Sequence, residues 1–383
     1  MAAEVLIALA KAYGAEDFIP ISSAHVSGIS YLNIGDAGVE VFEKFSKGKV
    51  SVPTTVNPMG FDPDAPRTLP KDGKKILEGQ MRILKALERM GANVTLTCTP
   101  YYIIDVPRHS HVARAESSAV VYANSILEAY TNRESGISAM ASALLGVTPY
   151  YGLHKPENRV PQIEFILDYK PSTRAERSAL GIFIGKHKKT VVSVSEAPED
   201  KDAFKLMGAA SAASGRVAMI RVGVEAEEKV HVGKEEISEV IEELSSGEDP
   251  EFYYVGCPHA SEKELREFYY KCKENRVISV APQIYYKNID LVRKIESKGA
   301  RVIKGTCIVV SILRNRPFVT DSGKAARYCP KASLGNVLRK IREHTLLYPC
   351  ISRVALFPFL LGLVCISLPA PSLPDKERVR ADA

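Results

Sequence analysis

No C-x-x-C pair occurs in this chain, although it carries 7 cysteines in 383 residues. Their number is odd and they form no dense framework, which argues against a disulfide scaffold. A strong charge of one sign is missing too. The 51 basic and 45 acidic residues leave a net charge of +6, spread along the chain. That excludes an obvious nucleic-acid surface and is compatible with a small anionic substrate. The N-terminus, MAAEVLIALAKAYGAEDF, places Glu4 where a secretory leader needs basic residues, and it lacks a cleavage site. It reads as an amphipathic first helix, and a reducing cytoplasm is expected. Tryptophan is absent, which decides nothing. A full-length membrane span is lacking as well. The apolar run Val354–Leu368, VALFPFLLGLVCISL, is shorter than the roughly 20 residues a span needs, and Pro358 interrupts it. It is expected to be buried or to face a partner, with a membrane contact the lesser reading. The end beyond it, LPAPSLPDKERVRADA, reads as a loose tail. No internal repeat is found.

What is present is an α/β pattern long enough for several domains. Ser23–Gly38 (SAHVSGISYLNIGDAG) is too rich in glycine and serine for a regular helix, and Val52–Pro66 is punctuated by proline and glycine. Both are expected to be functional loops. Helices are expected over Lys75–Met90, Glu116–Ala129 and Gly136–Leu145, and NVTLT is expected to be a strand ending at Cys98. KTVVSVS and VAMIRVGV read as strands around the small-residue helix FKLMGAASAASG. The last third alternates most clearly: helix EEISEVIEELSS, strand EFYYVG, Cys257, then a helix opened by a Ser261/Glu264 capping box. Strand VISVAP, helix NIDLVRKIESKG, strand RVIKG and Cys307 follow. The expected organisation is an N-terminal α/β region over 1–185, a small middle unit over 186–233, a C-terminal α/β region over 234–343, and a terminal segment over 344–383.

Cys98, Cys257 and Cys307 share one address, each directly after a short β-run. In open parallel α/β sheets the carboxyl ends of the strands converge on the ligand crevice. Three thiolates there suit zinc or an iron–sulfur cluster, or they are ordinary buried cysteines. Cys272, Cys350 and Cys365 are read as structural, and Cys329 stays open. His109 and His111 form an H-x-H without a third partner of metal-site spacing.

The wording around these cysteines resembles the aconitase X family. The matching blocks are SAHVSGISYLNIGDAG, VPTTVNPMGFD, TCTPYY, AESSAVVYANSILEAYTNRE, YYGLH, GCPHAS, KGTCIVV and TDSGKAARYCP, from about Ser23 to Pro330. The resemblance implies an aconitase-like, multi-domain α/β scaffold with parallel sheets around a cluster-binding crevice. It implies that Cys98, Cys257 and Cys307 hold an iron–sulfur cluster, most simply 4Fe-4S with one open iron. It implies a hydro-lyase that dehydrates (R)-5-phosphomevalonate to trans-anhydromevalonate 5-phosphate. A separate small swivel-domain subunit is implied, and the proton-removing base is expected from it, so no catalytic residue is assigned in this chain. Two departures stand out: Glu128-Ala129-Tyr130 replaces a frequent Gly-Ala-Arg, and the region after Pro330 does not continue as expected.

On the same footing, substrate contacts are expected from Gly28, Ser30, Thr54, Thr55, Asn57, Asn124, Asn132, Arg133, Glu134, Ser322, Gly323 and Lys324. For the phosphate, Gly323 would allow backbone approach, Ser322 would donate and Lys324 would supply charge; the alternative is a surface turn. Thr54, Thr55 and Asn57 are donors or turn caps. Arg133 would clamp a carboxylate or pair with a helix glutamate. Asn124 would reach the cluster region or close a helix end. Of His25, His154 and His259, the last stands nearest a ligand cysteine and is the best candidate to support the cluster. The competing readings are cis-3-hydroxyproline dehydration, aconitase-type isomerisation, and a non-catalytic zinc-stabilised binding protein.

Overall fold

The computed structural model describes residues 1–65, 68–69, 73–271 and 274–335. Cys272, Cys350, Cys365, the apolar run Val354–Leu368 and the tail lie outside them. Among the described residues no helix is long and apolar enough to cross a membrane.

Hydrophobic periodicity sets the first layer. Gly73–Met90 buries Ile83, Leu84, Leu87 and Met90 on one face, against Phe42 and Phe45 of the helix Tyr31–Phe45. That second helix begins inside the Gly- and Ser-rich segment, so the segment is not loop throughout. Gly35, at φ 56°, kinks it. Gly136–Leu145 opens on a capping box between Ser135 and Ser138 and closes at left-handed Gly146. The helix expected over Glu116–Ala129 is shorter, Ser117–Ser125, with Glu116 as its cap.

These helices cover a three-stranded parallel sheet in the order Thr54–Val56, Ala24–Val26, Ala113–Arg114. NVTLT does not become a further strand. It runs beside Thr54–Val56, with Asn93 N–H to Thr54 O at 2.8 Å and Thr97 N–H to Val56 O at 3.0 Å. Leu96, at φ 47°, breaks the pleat.

A four-stranded parallel sheet follows, ordered Met219–Val222, Val191–Val194, Glu164–Leu167, Lys229–Val232. Because Glu164–Leu167 is central to it, this sheet reaches back across the 185/186 boundary expected from the sequence. Helices Arg174–Lys186 and Lys201–Ser214 pack closely, since a side chain at Gly181 would meet Met207 O at 2.2 Å.

The third sheet is parallel and five-stranded: Arg301–Lys304, Arg276–Val280, Phe252–Ala260, Phe318–Thr320, Ala332–Leu334. One core joins the four- and five-stranded sheets through Phe165, Val192, Phe204, Tyr254 and Phe318. A second core, with Val255, Leu265, Ile278 and Ile295, covers the other face of the five-stranded sheet. Cys257 lies inside its strand rather than after it, where the register shifts between Val255 and Ala260.

Candidate active site

The three cysteine segments meet at one histidine. The backbone N–H of His259 donates to Cys98 Sγ at 3.3 Å. Its ring Nε2 lies 3.0 Å from Thr306 O, next to Cys307. A carbonyl only accepts, so Nε2 carries the proton and Nδ1 accepts from Thr97 Oγ1 at 3.3 Å, next to Cys98. His259 is itself two residues past Cys257. Its burial lowers its pKa to about 4, which keeps the ring neutral and this pattern intact.

The thiols are buried, or nearly so for Cys307. Each feels a common ammonium, that of Lys324, and Cys257 also feels the charges of Cys307 and Cys98. Burial pushes the Cys98 thiol up to about 12 and raises Cys257 and Cys307 as well. Thiols so placed keep their protons until a metal displaces them, because coordination deprotonates a thiol outright. Among the described residues no three His, Cys, Asp or Glu side chains are grouped to hold one metal ion. Three buried thiols around one cation, with a backbone N–H already aimed at one sulfur, fit a multi-iron centre held at three corners.

A buried polar chain runs from this centre to the three-stranded sheet. Lys324 Nζ pairs with Glu116 Oε1 and lies 3.2 Å from Ser117 Oγ. Glu116 Oε2 accepts from Asn57 Nδ2 at 2.7 Å. Asn57 Oδ1 accepts from His25 Nε2 at 2.8 Å, and His25 Nδ1 lies 2.8 Å from Thr55 Oγ1. Burial alone would raise the Glu116 carboxyl, but Lys324 and Asn57 hold it at about 2. Burial works against the Lys324 charge, but Glu116 and then the thiols hold it above the ordinary lysine range. Burial, then the Arg114 charge, lower His25 to about 4. Strand register explains the assembly: His25 pairs with Thr55 on one side and Arg114 on the other. Paired residues of parallel strands project to the same face.

Of the expected substrate residues, Thr55, Asn57 and Lys324 are therefore joined in this chain, and the structure places the others as follows. Ser30 Oγ is buried and has no partner among the described residues, and Gly28, at φ 70°, turns the chain just before it. Thr54 Oγ1 only closes a turn onto Val52 O. The Ser322 hydroxyl is spent, donating to Cys257 O and accepting from Ala325 N–H at 3.1 Å. Gly323 packs closely on protein: a Cβ there would meet Ile182, Ala210 and Ser178 O at 3.0–3.1 Å. Asn124 is saturated by Thr131, Ala218 and Arg159. Asn132 is held by Tyr151 O and Leu153 N–H. Among the described residues Arg133 pairs with no glutamate. It donates to Gly215 O at 2.8 Å and Ala212 O at 3.1 Å, closing the C-terminus of helix Lys201–Ser214. Glu134 accepts from Ser138, and its other oxygen is buried with no partner among the described residues. His111 and His154 face each other, Nδ1 to Nδ1, at 2.9 Å. Cys329 is buried within the field of Cys307.

Two residues of this site escape a reading by sequence. Glu116 has no mark of its own beyond its place before a helix, and its partner Lys324 is 208 positions away. Tyr101 stacks on Tyr122 at 3.7 Å, and its hydroxyl is buried, unpartnered and in the field of Cys98. The only signal for it was its place three residues after Cys98.

Parallel α/β sheets that bring the Cys98, Cys257 and Cys307 segments together define an aconitase-like α/β protein. The models of the aconitase X first, second and third domains match residues 1–157, 161–242 and 250–345, and the chain belongs to the aconitase X family. It is 38% identical over 374 residues to the phosphomevalonate dehydratase large subunit of Methanocaldococcus jannaschii, covering 87% of this chain and 91% of that one. To the protein of the same name from Aeropyrum pernix it is 37% identical over 364 residues, covering 86% and 90%. The cis-3-hydroxy-L-proline dehydratase of Hypocrea jecorina is more distant, 30% identical, with 62% of its length covered. The crystal structure of Thermococcus kodakaraensis aconitase X, holo-form, superposes with a TM-score of 0.81 at 35% identity, covering 88% of this chain and 93% of that one.

Proposed function

We propose that this chain is the large subunit of a phosphomevalonate dehydratase, a hydro-lyase that removes water from (R)-5-phosphomevalonate to give trans-anhydromevalonate 5-phosphate. The observation that carries this reading is the convergence of Cys98, Cys257 and Cys307 on one buried ammonium, Lys324. It stands in a chain with near full-length likeness to archaeal large subunits of that name. In this reading the three thiolates hold an iron–sulfur cluster, most simply 4Fe-4S with one open iron. When bound, such a cluster supplies Lewis acidity toward the substrate's hydroxyl and carboxylate.

The chain's own residues bind and orient. Lys324 offsets the thiolate charge, and Glu116 fixes Lys324 in place. Asn57 and neutral His25 lock the Glu116 carboxylate by hydrogen bonds. Burial of the centre strengthens each of these interactions. Proton abstraction is assigned to a separate small subunit, in keeping with the relatives' designation as large subunits. A reducing cytoplasm suits a centre built on free thiols.

The test is anaerobic co-production with the small subunit. The protein should be brown, contain iron and sulfide, and dehydrate phosphomevalonate only as the pair. Colourless protein with stoichiometric zinc would overturn the cluster. Activity of the large subunit alone would overturn the assignment of the base. Turnover of cis-3-hydroxyproline but not phosphomevalonate would overturn the substrate.

A further inference from the structure

No cysteine lies in the second domain, residues 161–242, yet its helix Lys201–Ser214 holds two of the three cysteine segments. Asp202 and Lys205 stand three residues apart on it, on neighbouring turns of one face. Asp202 Oδ1 accepts from the hydroxyl of Tyr102 at 2.6 Å, and Tyr102 is four residues past Cys98. Asp202 Oδ2 accepts from the hydroxyl of Ser261 at 2.8 Å, and Ser261 is four residues past Cys257. Lys205 Nζ donates to His259 O at 3.1 Å. His259 is the residue whose N–H reaches Cys98 Sγ. The same ammonium lies 5.4 Å from the centre of the Tyr102 ring, within cation–π range.

Lys205 is 2% exposed. An ammonium has three donors to satisfy. Here they go to His259 O, to Glu264 and, at 3.3 Å, to Asp202. Glu264 also accepts from the Ser261 N–H at 2.8 Å, and its other oxygen pairs with Arg174 Nη2 at 2.7 Å. Arg174 Nε pairs with Asp321 at 2.5 Å. The next residue, Ser322, donates to Cys257 O. The segment Cys257–His259 is thus fastened at two carbonyls by groups that belong to one buried network. Apolar side chains of similar volume would stabilise such a place as well or better. What a saturated ammonium adds is direction, because each of its donors has one fixed acceptor.

We propose that Lys205, with Asp202, is a positioning residue of the cysteine centre. It fixes the Cys98 and Cys257 arms relative to one another, so that a domain without thiols sets the spacing of the metal ligands. Its service to a cluster rests on the iron–sulfur reading of the site; the fastening of the two arms does not.

The experiment uses the anaerobically loaded pair of subunits, with Lys205→Met, Tyr102→Phe and, as a comparison, Val192→Ala, which truncates a core side chain of the same domain. Release of iron to a chelator should be about 10–100-fold faster in Lys205→Met than in the wild type, the range for loss of a group behind metal ligands. The electron paramagnetic resonance spectrum of its reduced cluster should change. Val192→Ala should unfold at lower urea concentration yet keep the wild-type spectrum and release rate. A wild-type release rate in Lys205→Met, or an equally fast one in Val192→Ala, would overturn the positioning role. If Lys205→Met does not fold, Tyr102→Phe decides. It removes only the hydroxyl that Asp202 holds, so release should again be faster, and a wild-type rate would overturn the role. If the wild type carries zinc and no iron, the cluster reading fails, and release of zinc from the same variants decides the positioning role in the same way.

Discussion

The backbone N–H of His259 donates to the sulfur of Cys98 across 3.3 Å. Two chain segments that are remote in sequence are thereby fixed at the atom that would bind iron. The His259 ring adds the third segment through Thr306 O at 3.0 Å. Replacing the ring should therefore loosen the whole centre. His259→Ala is expected to weaken cluster retention by about 10–100-fold, as loss of a partner behind metal ligands does. Iron content and the visible spectrum after gel filtration check this. Wild-type iron in the variant would show that the backbone alone suffices.

Cysteine substitutions separate the ligands from their neighbour. Cys98→Ser, Cys257→Ser and Cys307→Ser should each lose the cluster and the activity. Cys329→Ser should keep both, although Cys329 is buried within the field of Cys307. Loss of iron in Cys329→Ser with iron kept in one of the other three would redraw the ligand set.

Glu116→Gln removes the counter-charge of buried Lys324. Breaking one side of a buried pair costs about 3–5 kcal/mol. A fall of that size in urea-unfolding stability is expected, with a loss of turnover. An unchanged stability would mean that Lys324 finds the thiolates a sufficient partner.

Gly323→Ala distinguishes a packing glycine from a phosphate loop. The added methyl meets Ile182, Ala210 and Ser178 O at 3.0–3.1 Å. Stability should fall by about 1–3 kcal/mol, and KM for the phosphorylated substrate should stay near wild type. A raised KM at unchanged stability would restore the loop to the phosphate.

The paired rings of His111 and His154 predict acid sensitivity. Burial, then the neighbouring His111 and Arg159, lower His154 from 6.5 to about 3. Burial also lowers His111. In the folded protein these rings stay neutral while the unfolded chain takes up protons below pH 6.5. Stability should therefore be lost as pH falls from about 6.5 toward 3, by up to about 1.4 kcal/mol per pH unit for each proton concerned. His25 and His259 add to the same slope. Melting curves of His154→Gln should show a shallower slope than wild type; an equal slope would remove His154 from the account.

Local grammar was legible where a residue's role is set by its neighbours in the chain. The helix Gly136–Leu145 announces itself through Ser135 and Gly146, and the helix after Ala260 through the Ser261/Glu264 box. The strand-end placement expected for the three cysteines holds for Cys307 alone, since Cys98 follows no strand and Cys257 lies within one, so the wording around them was the stronger signal. Asn124, Asn132 and Arg133 could not be judged that way. Their side chains close turns and helix ends on Ala218, Tyr151 and Gly215, none of which is close in sequence.

The sequence by itself determined the alternation of helices and parallel strands and the family. Periodicity, caps and short runs of identical residues are local properties, and a chain carries them before it folds. The tertiary structure alone decided which polar groups remain unspent. Register across the three-stranded sheet sets Thr55, His25 and Arg114 side by side, and long-range pairing gives Lys324 to Glu116. Whether a buried donor faces a carbonyl, a carboxylate or nothing depends on groups hundreds of positions apart. That is the physical reason the helix caps and the family were readable in the sequence while the Lys324–Glu116 pair was not.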